Sequence, residues 1–96
     1  MKRNATRPTI ENLKHSIYTL KLTLASVTDK DYIRNSIRNL RYVCPLKDRK
    51  LLWDTYLIYV QYDQAKDLMQ DNLEKTVKRL QEMIGRKHKD NIKNKA

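Results

Sequence analysis

The sequence predicts an all-α protein, a three-helix bundle with a long third helix projecting beyond the first two. Three observations carry that expectation. The 96 residues include one Gly and two Pro, too little punctuation for the closely spaced turns of a β-sandwich or barrel. Apolar residues recur in alternating steps of three and four, which is the period of a helix face and not of a strand. Charged residues make up 33% against 40% apolar, a balance that suits amphipathic helices better than a membrane protein or a disordered tail. The length allows one domain with a modest core. Its organisation reads as a basic N-terminal arm over residues 1–8, a helical domain over 9–84 and a basic flexible tail over 85–96.

The first helix runs from Thr9 to Ser26, with Ile10, Leu13, Ile17, Leu20, Leu24 and Val27 on one face. Pro8 stands just before it, where its missing N–H does little harm, and Thr9 is placed to cap the first turn. Thr28 followed by Asp31 has the form of a capping box, which starts a second helix from Asp29 to Val43. Ile33, Ile37 and Leu40 form its apolar face, and the helical rotation gathers Arg34, Arg38 and Arg41 into a separate stripe. Pro45 ends that helix.

Neither Gly nor Pro occurs from Lys47 to Ile84, so this stretch reads as one helix of some 38 residues, roughly 57 Å long. Leu51, Leu52, Tyr59, Tyr62, Met69, Leu73, Val77, Leu80 and Ile84 share one stripe, with Lys66 the only charge inside it. Trp53, Tyr56, Leu57 and Val60 make the first half apolar on nearly every side, so Leu51–Val60 is the expected centre of the core. The second half would then project with an uncovered seam of Met69, Leu73, Val77, Leu80 and Ile84, free to bind a partner. The alternative is a bend inside the polar stretch 61–67 that folds the last helix back into a closed four-helix bundle. That stretch holds no turn residue, which favours the continuous helix.

The formal net charge of +10 is unevenly spread. The excess lies at the two ends and on the second helix, while residues 46–84 balance seven bases against seven acids. Asp71–Lys75 and Glu74–Lys78 stand in the favourable i,i+4 order of a solvated face. Lys2, Arg3, Arg7, Lys14 and Lys21 against Glu11 alone, leading into an amphipathic helix, resemble a mitochondrial import segment, and a solvated basic tail accounts for them equally. No long apolar region of a secretory signal is present and the longest apolar run is half a bilayer span, so the expectation is a mitochondrial or cytoplasmic protein, not a secreted one.

Catalytic chemistry finds little to build on. Cys44 is the only cysteine, which excludes an internal disulfide and a Cys-based zinc site. Arginines one turn before it would lower its pKa, but a lone thiol at this position reads as structural. His15 and His88 lack neighbouring ligands, and the carboxylates Asp63, Asp67, Asp71 and Glu74 are interleaved with lysines. A single glycine cannot supply a phosphate loop. The expectation is a protein that is not an enzyme and holds no metal or cofactor. Tyr56, Tyr59 and Tyr62 stand at core spacing and read as packing groups. The arginine stripe is the most informative polar feature, since three guanidinium groups on one face suit phosphates or a carboxylate-rich surface.

The run from Tyr32 to Tyr42, with Arg34, Arg38, Leu40 and Arg41, resembles the second-helix signature of the LYR-motif proteins. Members of that family are small, basic, three-helix mitochondrial proteins that serve as accessory subunits or assembly factors, and some bind acyl carrier protein. The resemblance would cover residues 10–85 and implies a basic contact through Arg38 and Arg41. The name-giving Leu-Tyr-Arg is matched at best by Ile17-Tyr18-Thr19, and the usual second-helix phenylalanine by Ile37. The resulting expectation is a non-catalytic helical adaptor in a larger, mitochondrial complex. Arg34, Arg38 and Arg41 would meet an acidic partner, acyl carrier protein being one candidate, and Met69, Leu73, Val77, Leu80 and Ile84 would supply the apolar contact. Two other readings stand beside it. One is a small basic nucleic-acid-binding protein of viral, ribosomal or regulatory kind, the other a homodimer formed through the seam.

Overall fold

A computed structural model describes residues 9–95, with side chains from Thr9 to Lys87. The basic arm over residues 1–8 lies outside the described residues. The protein is all-helical, with α1 over Ile10–Ala25, α2 over Lys30–Asn39, α3 over Leu46–Gln61 and α4 over Lys66–Lys95. Its extents are 51 × 30 × 16 Å, and the 30 residues of α4 span about 45 Å.

Local chemistry sets the first boundaries. Thr9 caps α1 as expected, its hydroxyl accepting from the Asn12 N–H at 3.1 Å. The cap of α2 is Asp29 and not Thr28: the Asp29 carboxylate accepts from the Tyr32 N–H at 3.0 Å. Helix α2 stops at Asn39, several residues before Val43, because Leu40–Cys44 coils into a turn in which Tyr42 takes a left-handed φ of 73°. Pro45 then opens α3.

The expected continuous third helix is broken at Tyr62, whose extended backbone (φ −129°, ψ 111°) is followed by a single 3₁₀ turn over Asp63–Ala65. Helix α4 folds back antiparallel to α3, and the pairs Thr55–Asn72 and Asp48–Arg79 fix the register. It packs most extensively on α1. The seam is therefore covered by the chain itself. Met69, Leu73 and Leu80 are fully buried, Val77 nearly so, and Ile84 is half-buried against the same core as Leu13, Ile17, Leu20, Ile33, Ile37 and Leu40. Burying such side chains contributes roughly 1.5–3 kcal/mol each. A break in a helix forfeits a few backbone hydrogen bonds worth about 1 kcal/mol apiece. The apolar term wins, and no glycine or proline is required at the joint. Lys30 clips the turn from outside, pairing with Asp63 while its ammonium lies 4.6 Å from the centre of the Tyr59 ring.

Leu51–Val60 is not surrounded. Only one side of α3 faces the core, through Leu52, Tyr56 and Tyr59, whereas Leu51, Leu57, Ile58 and Val60 remain between 43% and 47% exposed. Tyr56 and Tyr59 pack inside, and the Tyr59 hydroxyl donates to the Val27 carbonyl at 3.1 Å; Tyr62 lies outside the core. Helix α4 passes through Gly85 and continues to Lys95, so the segment expected as a frayed tail is helical as far as that residue. No helix among the described residues is long and apolar enough to cross a membrane.

Candidate functional site

A cleft of about 620 Å³ lies between α2 and α3. Ile37 and Arg38 of α2 and Arg41 of the following turn form one wall; Leu46, Arg49, Lys50, Trp53 and Asp54 of α3 form the other. Positions 46, 49, 50 and 53 follow the one-turn and two-turn spacing that puts side chains on one side of a helix. The Ser16 hydroxyl donates to the Val43 carbonyl at 2.9 Å and so ties the turn that carries Arg41 to α1. Trp53 is half-buried and leans on Tyr56, ring centres 5.1 Å apart.

Charge in the cleft is unbalanced. Lys50 is met by Asp54 at 3.2 Å, but Arg38, Arg41 and Arg49 have no carboxylate within ion-pair distance among the described residues. The Arg49 Nε is buried without a hydrogen-bond partner. Arg41 lies over the exposed Tyr42 ring, 5.3 Å from its centre. Three free guanidinium forks beside an apolar floor make a receptor for carboxylate or phosphate oxygens carried on a partly apolar ligand.

The expected arginine stripe is divided. Arg38 and Arg41 reach the cleft, while Arg34 turns toward Asp31 at 3.6 Å. Arg49, Lys50 and Trp53 join it unforeseen, because Trp53 was assigned to the core. Their spacing together with Leu46 was the available signal. The seam residues Met69, Leu73, Val77 and Leu80 are interior and Ile84 is half-covered, so they offer no docking face.

Next to the cleft, Asp48 is 3% exposed and held by Arg79 of α4. That carboxylate raises the Arg79 pKa through its hydrogen bond and charge. Cys44 is buried beside it. Burial, reinforced by the charge of Asp48, pushes the thiol up to about 12, so the arginines nearby do not activate it. His15 is exposed on α1. Comparison with family models, with curated proteins and with solved structures finds no match to this chain.

Proposed function

We propose that this chain is a non-catalytic helical adaptor, an accessory subunit or assembly factor that holds an acidic region of a partner protein in the α2–α3 cleft. The carrying observation is the convergence of Arg38, Arg41 and Arg49, uncompensated among the described residues, on one recess. Outside the cleft, Lys30 and Arg34 of α2 and Arg79 of α4 are already matched by carboxylates. The resemblance to LYR-motif proteins supports this reading through Arg38 and Arg41, makes acyl carrier protein a candidate among acidic partners, and favours a mitochondrial location.

The test is affinity capture from the native source with the wild-type chain and with Arg38→Glu/Arg41→Glu. The adaptor reading expects a specific acidic protein retained by the wild type and lost by the variant, while circular dichroism of the two chains agrees. Equal retention with both chains rejects the cleft as the contact. Import of a reporter carrying residues 1–28 into isolated mitochondria checks the location.

Trp53 beside three free arginines also favours a second reading, single-stranded nucleic acid held by stacking and phosphate pairing. It requires affinity that falls steeply as salt rises. No retention on a single-stranded DNA column at ~50 mM salt counts against it.

A further inference from the structure

We infer that the cleft takes an extended acidic peptide segment bearing one bulky apolar side chain between its carboxylates, and not a broad acidic surface. The inference rests on the adaptor reading and specifies its ligand. A flat acidic surface would answer the arginines but leave the apolar part of the recess uncovered: Leu46 is 65% exposed, and Trp53 beside it is only half-buried. A recess of about 620 Å³ accepts a side chain with its flanking residues, within the usual range for ligand sites. Its unpaired cations come from both lining segments, Arg38 and Arg41 from α2 and the turn after it and Arg49 from α3, so carboxylates flanking an inserted apolar group have guanidinium partners on both segments.

Charge complementarity also distinguishes peptide from nucleic acid. The positive field does not continue as a track, because Arg34 is paired with Asp31 and Arg79 with Asp48, and Asp54 sits on the rim. A phosphodiester chain entering or leaving the cleft would meet the exposed carboxylates of Asp31 and Asp54. A peptide brings backbone N–H groups that the Asp54 carboxylate can accept.

The experiment measures fluorescence anisotropy of two labelled twelve-residue peptides of Glu and Ser, one with a central Phe and one with Ala there, against the full chain at 150 mM salt. Labelled oligothymidylate is the third probe. The Phe peptide is expected to bind about tenfold or more tightly than the Ala peptide, as burial of one large side chain allows. Leu46→Ala and Trp53→Ala should remove that preference, and Arg41→Gln/Arg49→Gln should weaken both peptides. Leu46 is mostly exposed, so its substitution decides the point if Trp53→Ala fails to fold. Equal affinity for the two peptides, lowered in both by the arginine substitutions, overturns the inference and leaves the adaptor reading intact. A Phe preference that survives Leu46→Ala places the anchor elsewhere and overturns the inference too. Failure of both peptides to bind overturns the inference and leaves the adaptor reading to the capture experiment; tighter binding of oligothymidylate than of the Phe peptide overturns both.

Discussion

The Cys44 thiol must lose a proton in an apolar setting beside the Asp48 carboxylate, which is why its pKa rises from 9.0 to about 12. Between those values the folded chain keeps a proton that the unfolded chain has released, so stability present below pH 9.0 declines as pH rises toward 12. Urea midpoints measured across that window should fall more for the wild type than for Cys44→Ala. Tyr42 presents a different local cost. A bulky residue with φ of 73° pays roughly 1–2 kcal/mol of backbone strain, and its ring is 73% exposed, so packing returns little. Tyr42→Gly is expected to be about 1 kcal/mol more stable than Tyr42→Ala by denaturant titration, since only glycine removes the strain. Gly85 is the converse case, a helical glycine at which an added Cβ would meet nothing within 4 Å. Gly85→Ala should raise stability by up to ~1 kcal/mol and increase the helical circular dichroism signal.

At the scale of elements, the first two helices were legible from their local apolar spacing, and the cap of α1 with them, whereas the cap and the end of α2 were not. The joint at Tyr62 was not, since its cause lies in α1, whose apolar stripe needs covering as much as that of α4 does. The cleft was half legible: the arginines of α2 share a stripe in the sequence, but their meeting with Arg49 and Trp53 depends on which side of α3 faces inward. Two substitutions test this packing. Leu73→Ala, at a fully buried position, should cost about 3 kcal/mol by urea unfolding; an uncovered seam would have made it nearly neutral. Arg79→Ala strands the Asp48 carboxylate in the interior and should cost about 2 kcal/mol, below the figure for a fully buried pair because the Arg79 side chain is 46% exposed. Asp48→Leu/Arg79→Leu should recover much of that loss, because the desolvation cost disappears with both charges.

Across the whole molecule, the net charge of +10 gathers mostly toward the two ends of the chain, and like charges repel more when the chain is compact than when it is unfolded. Raising NaCl from ~10 to ~150 mM shortens the Debye length from about 30 to 8 Å and should raise the calorimetric melting temperature. A flat or falling response would mean that screening of ion pairs outweighs screening of repulsion. The arrangement of helices also has a consequence for biosynthesis. Because α1 packs chiefly against α4, it leaves the ribosome well before its principal cover, which follows some forty residues later. Until then Leu13, Ile17 and Leu20 have no α4 to shield them, and chains stalled before Met69 should be the aggregation-prone, chaperone-bound species of this protein.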